Sequence, residues 1–92
     1  MEKADKRILV VDDEQDLCEI LSFNIQIEGY HVDTANSAEE ALEMDIASYD
    51  LLLLDVMMGG MSGFQLAKKL KENPMTAHVP IIFLTARDTE ND

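Results

Sequence analysis

Apolar residues along this chain come in short, dense runs separated by amphipathic stretches. Ile8-Leu9-Val10-Val11 is a β-branched run closed by Asp12-Asp13, which predicts a strand buried on both faces. From about Glu14 to Glu28, Leu17, Ile20, Leu21 and Ile25 recur at three- and four-residue steps, predicting a helix that Gly29 stops. His31-Val32-Asp33-Thr34-Ala35 alternates, as expected of a strand at a sheet edge. Ser37 with Glu40 forms a capping-box pattern, opening a helix that carries Ala38, Ala41 and Leu42 inward and ends near Ala47. Leu51-Leu52-Leu53-Leu54 shows no polar alternation and predicts a central strand covered on both faces. Ser62 with Gln65 repeats the capping box ahead of a helix with Phe64, Ala67 and Leu70 on one face, ended by Pro74. A fourth strand follows from Val79 to Thr85, with Pro80 at its start where a missing N–H is tolerated. The succession β-α-β-α-β-α-β with short connections predicts an α/β fold: a doubly wound parallel sheet with helices on both faces.

Composition narrows the function. The 92 residues suit one small domain, and a formal net charge of -12 makes a poor partner for nucleic acid or an anionic membrane, both polyanions. The charge suits cations or a basic partner surface. The longest apolar runs are four residues, against roughly 20 needed to span a bilayer, and the charged start Met1-Glu2-Lys3 has no signal-peptide character. Cys18 is the only cysteine, so an internal disulfide is impossible and a cytoplasmic location is expected. Within the first helix it reads as a small core residue.

Three carboxylates stand apart from the rest. Asp12 and Asp13 follow the first strand, and Asp55 ends the third. In open α/β sheets, ligands bind beyond the carboxyl ends of strands where strand order reverses. With the first strand between the second and third, all three converge there. Two carboxylates about 5 Å apart repel by roughly 3 kcal/mol at an effective dielectric near 20. A divalent cation relieves that, or a raised pKa does, and Mg²⁺ suits a few carboxylates with positions left open for water and phosphoryl oxygens. Position alone leaves a second reading open, Asp12 as a helix cap and Asp55 as a strand terminator. A carboxylate beside Mg²⁺ serves either as a ligand only or as a nucleophile forming an aspartyl phosphate. Thr85, at the tip of the fourth strand, is placed either to hydrogen-bond such a phosphoryl group or to cap a following helix.

Ile8 to Glu14, Leu51 to Met58, Met61-Ser62-Gly63 and Val79 to Ala86, taken in this order and spacing, resemble the receiver domain of two-component response regulators. The resemblance implies a flavodoxin-like fold with sheet order 2-1-3-4. It implies that Asp55 accepts a phosphoryl group from the phosphohistidine of a sensor histidine kinase. Asp13, Asp55 and the backbone carbonyl of Met57 would ligate Mg²⁺, with Asp12 acting mainly through a bound water, and Thr85 would be the switch hydroxyl. Two departures from the family pattern are expected to matter. Gly59 stands where receivers usually carry Pro, which loosens the turn and is expected to affect loop order more than chemistry. Residues 1–92 also read as a single receiver-like domain truncated after the fourth strand, lacking the C-terminal α-β-α portion with its phosphoryl-binding Lys and aromatic switch. Lys68, Lys69 and Lys71 lie on the third helix and fill neither role. The exposed fourth strand and first helix then predict self-association.

The expected function is a phosphoacceptor signalling domain, not an enzyme beyond Mg-dependent self-phosphorylation and dephosphorylation. One alternative is a phosphorylation-deficient fragment that serves only as an interaction or dimerisation module. A remote one is a Mg-dependent phosphohydrolase, disfavoured because Met57 occupies the position where those enzymes want a second Asp.

Overall fold

The computed structural model describes residues 5–84. Four strands, β1 (Arg7–Val11), β2 (His31–Ala35), β3 (Leu51–Asp55) and β4 (Ile81–Leu84), form one parallel sheet in the order β2-β1-β3-β4. Helices α1 (Gln15–Ile27), α2 (Ala38–Leu42) and α3 (Gly63–Glu72) alternate with them, and a 3-10 turn spans Ile46–Ser48. This is the expected doubly wound, flavodoxin-like arrangement, with β2 at one edge and β1 and β3 inside. Thr85 lies outside the described residues.

Two of the three four-residue apolar runs, Ile8–Val11 and Leu51–Leu54, became the central strands β1 and β3, each paired with a neighbour on both sides. Ile8, Leu9, Val10 and Val11 are all buried. Odd and even positions feed two separate cores. Leu9, Val11, Leu52 and Leu54 pack with Ala38 and Ala41 of α2 and Leu66 and Leu70 of α3. Ile8, Val10, Leu51 and Leu53 pack with Cys18, Leu21 and Ile25 of α1.

Helix boundaries follow local chemistry. Ser62 Oγ accepts from Gln65 N at 3.1 Å while Gln65 Oε1 accepts from Ser62 N at 2.9 Å, so the expected capping box of α3 is complete. At α2, Ser37 Oγ accepts from Glu40 N, but the Glu40 carboxylate reaches back to Asn36 N rather than to the cap residue. α1 ends at Ile27, and Gly29 follows with a φ of 107°, the left-handed conformation glycine tolerates. Pro80 precedes β4, and its carbonyl still accepts from Leu52 N at 3.0 Å.

Two helical expectations are corrected. α2 stops at Leu42, not near Ala47, and Leu42 is exposed. Glu43 N and Met44 N bond to carbonyls three residues back, tightening the chain so that Ile46 turns into the core. On α3 the buried stripe is Gly63, Leu66 and Leu70, and Phe64 points outward. Phe64 instead meets Phe83 of β4 edge-on, with ring centroids 4.8 Å apart.

At the opposite end of the sheet from the acidic residues, Arg7 lies over the Tyr49 ring, 4.6 Å from its centroid, and Tyr49 donates to Asp33 at 2.6 Å. Burial and that hydrogen bond push the Tyr49 phenol up to about 12. Arg7 and Tyr49 close the sheet's amino-terminal side.

Candidate functional site

Asp12 directly follows β1 and Asp55 is the last residue of β3, so the pairing of these two strands fixes their separation. β1 connects to β2 on one side and has β3 on the other. The crevice at its carboxyl end is therefore a topological switch point. Asp12, Asp13 and Asp55 each bring an oxygen there, and the three oxygens lie within 4.8 Å of one another. The sequence expectation of convergence is met for these three side chains.

Their environments differ. Asp12 is 1% exposed and Asp55 6%, whereas Asp13 is exposed. Asp12 Oδ1 accepts from Glu14 N at 2.9 Å. The bond spans two residues rather than capping α1, whose N-cap is Glu14 and has no side-chain bond. The helix-cap reading of Asp12 therefore gives way to a local turn that holds the carboxylate at the strand end. Burial, opposed by the Glu14 hydrogen bond and reinforced by the nearby charge of Asp55, raises Asp12 above the ordinary carboxylate value. Asp55 Oδ1 accepts from Met57 N at 3.4 Å, which brings the Met57 backbone beside the cluster while the Met57 side chain is exposed. Asp13 Oδ2 accepts from Gly59 N at 3.2 Å.

The site is supported from behind. Cys18 Sγ donates to the Asp12 carbonyl at 3.3 Å, and Asn36 Nδ2 donates to the same oxygen at 3.3 Å. Burial, with the Asp12 charge next, pushes the Cys18 thiol up to about 11, so it stays protonated and inert, as a core residue should. Gly63 lies so close to β3 that a Cβ there would overlap the Asp55 carbonyl oxygen, which explains this glycine beneath the site. Lys71, which the sequence reading kept out of the site, donates to the carbonyls of Ala77 and Val79 at 3.0 and 2.9 Å and clips the α3–β4 connection. Sequence reasoning missed Asn36 and the Gly59 N–H. Neither has a local pattern, because each acts across loops brought together only by the sheet.

The donor set fits a small hard cation. Oxygens on opposite sides of an ion with bonds of about 2.1 Å lie about 4.2 Å apart, so the trio needs only slight side-chain rotation to close on one. Carboxylates alone, with no His or Cys ligand in the cluster, favour Mg²⁺ over softer metals.

Comparisons with known proteins agree with this geometry. The family profile for the response regulator receiver domain matches residues 8–92. The phosphate regulon transcriptional regulatory protein PhoB of Rhizobium meliloti is 41% identical over 87 residues, covering 94% of this chain and 38% of PhoB. The response regulator PleD of Caulobacter vibrioides is 44% identical over 87 residues, covering 94% of this chain and 19% of PleD. The chain thus spans well under half the length of either relative. Among solved structures, the N-terminal domain of a response regulator receiver protein from Methanoculleus marisnigri superposes with a TM-score of 0.83 at 36% identity, over 91% of this chain and 69% of that one. TrrA of Thermotoga maritima, solved in complex with Mg²⁺ and BeF, gives a TM-score of 0.72 at 32% identity over 89% of each chain. No helix among the described residues is long and apolar enough to cross a membrane.

Proposed function

This chain belongs to the response regulator receiver domain family, and from that premise we propose that it accepts a phosphoryl group on Asp55 from the phosphohistidine of a sensor histidine kinase, in a Mg²⁺-dependent step. Receiver domains are regulatory parts of two-component systems rather than classical enzymes. The observation that carries the proposal is the convergence of Asp12, Asp13 and Asp55 at the switch-point crevice.

In this reading, one Asp55 carboxylate oxygen attacks phosphorus in line with the histidine nitrogen. The O–P bond forms as the N–P bond breaks, and the departing imidazole nitrogen keeps the electron pair and takes a proton from water. Mg²⁺ held at the acidic cluster would supply charge neutralisation for the phosphoryl oxygens. The Met57 N–H, 3.4 Å from Asp55 Oδ1, orients the nucleophilic carboxylate. Asp13, Asp55 and the Met57 carbonyl are the proposed ligands, with Asp12 acting mainly through a water. Thr85, outside the described residues, is the proposed hydroxyl donor to the phosphoryl group.

Incubating the chain with Mg²⁺ and an acyl phosphate, then measuring intact mass, tests this. A single phosphoryl adduct is expected on the wild-type chain, absent from Asp55→Asn and absent in EDTA. An unmodified wild-type chain would instead support the interaction-module reading.

A further inference from the structure

The three acidic residues are held in place by different means. Asp12 and Asp55 are buried where strands end, and each carboxylate accepts an N–H from two residues onward in its own loop. Asp13 is exposed, and among the described residues the hydrogen bond to its carboxylate comes from Gly59 N, 46 residues away in the β3–α3 loop. That bond ties the loop after β1 to the loop after β3.

Glycine at 59 is not required by shape. Gly60 has a φ of 73° and a Cβ at Gly63 would strike the Asp55 carbonyl, but nothing lies within 4 Å of a Cβ built at Gly59, and its φ is not in the left-handed region. Position 59 therefore has room for a side chain. Its contribution to the site is an N–H, which the proline usual at this position in the resembling family would lack.

We propose that the backbone N–H of Gly59 is a positioning group for the cation site, holding the exposed Asp13 carboxylate toward Asp12 and Asp55 in the orientation that ligates Mg²⁺. This rests on the Mg²⁺ reading given above. A carboxylate has two oxygens and about four acceptor positions, so one N–H to Oδ2 leaves room for a metal bond. Outer hydrogen bonds of this kind orient ligands, and losing one typically costs 10–100-fold in metal affinity. An exposed aspartate released from the bond would sample other rotamers and have to be ordered again on each binding event.

The test compares wild type, Gly59→Pro and Gly59→Ala by Mg²⁺ titration, following backbone amide resonances. Gly59→Pro, which removes the N–H, should raise the Mg²⁺ dissociation constant about tenfold. Gly59→Ala, which keeps the N–H and fits the open space, should restore an affinity within about twofold of wild type. A metal-free Asp13→Ala chain gives an independent signature: the Gly59 amide proton should move upfield and exchange faster. Unchanged or tighter Mg²⁺ binding in Gly59→Pro overturns the positioning role alone. So does an equal loss in Gly59→Ala, or a Gly59 amide indifferent to Asp13→Ala. No saturable Mg²⁺ binding by the wild-type chain overturns the cation reading, and the positioning role with it.

Discussion

Leu52 and Leu54 are wholly buried, whereas Leu51 and Leu53, alternating with them on the same strand, are only partly covered. The first pair lies beneath α2 and α3, in a core of thirteen buried residues among those described. The second lies beneath α1, where three residues are buried and the rest of the cluster is half-covered. α1 also leaves Ile20, Phe23 and Ile27 exposed. The difference extends to the helix ends. α2 and α3 begin with serine caps that accept backbone N–H bonds, while α1 begins at Glu14 with no side-chain cap. The acid that could have capped α1, Asp12, is instead held at the cluster. One face of the sheet is thus built for packing. The helix on the other face starts without a side-chain cap, next to the acidic cluster.

The largest expected effect comes from cutting a leucine out of each face. Leu66→Ala, on the closed face, should lower unfolding free energy by about 3–4 kcal/mol, and Leu53→Ala by about 1–2 kcal/mol, because a partly covered side chain loses less buried surface and leaves less of a cavity. Urea denaturation with a shared m-value reads the difference. Equal losses would show that α1 seals its face as well as α2 and α3 seal theirs.

The helix ends give a smaller contrast. Ser62→Ala removes one half of the α3 capping box and should cost about 1 kcal/mol. Glu14→Ala removes no cap bond, so the same denaturation experiment should show a change within about 0.5 kcal/mol. Matching losses would mean that Glu14 supports α1 in solution in some other way.

Smaller still is the stability effect of the exposed α1 flank. Phe23→Ser and Ile27→Lys should each change stability by less than about 0.5 kcal/mol, since neither side chain is in a core. Sedimentation velocity checks whether this flank joins copies of the chain, as the sequence reading expects. Wild type should show a concentration-dependent increase in sedimentation coefficient that the double variant loses. Monomeric behaviour of wild type at high concentration would end that expectation.

These contrasts also mark what could be read before the structure. β1 and β3 were legible because a strand covered on both faces needs an unbroken apolar run, and few other structures do. The strand-tip positions of Asp12, Asp13 and Asp55 followed from those runs, so most of the site came with the sheet. The face of α3 was not legible. Phe64, Ala67, Leu70 and Gly63, Leu66, Leu70 both fit helical spacing, and the helix alone does not show that Phe64 meets Phe83 of β4 outside the core. The Gly59–Asp13 bond was hidden for the same reason: it joins two loops that only the strand order brings together. Local pattern shows that a segment has a face to bury, and for an unbroken apolar run it shows the strand. It does not show which distant backbone group completes a site.

The smallest substitution changes one atom of Asp12. Asn keeps an oxygen to accept the Glu14 N–H and exchanges the other, charged oxygen for a neutral NH2. Asp12 is raised above its ordinary value of 3.8, chiefly by burial, so the folded protein holds that proton more tightly than the unfolded chain does. Ionising Asp12 therefore weighs against folding. The penalty is absent below pH 3.8, grows as pH rises toward the raised value, and is complete above it. In metal-free buffer, Asp12→Asn should be more stable than wild type at neutral pH, and the two should converge in acid. Adding Mg²⁺ should reverse the order at neutral pH, because a cation that binds only the folded state stabilises the chain with the intact acidic cluster more. Thermal unfolding across pH, with and without Mg²⁺, separates the two effects. If Asp12→Asn is less stable than wild type in EDTA at neutral pH, the buried carboxylate is supported by more than the Glu14 N–H, and the closed face is not the only part of the fold built for stability.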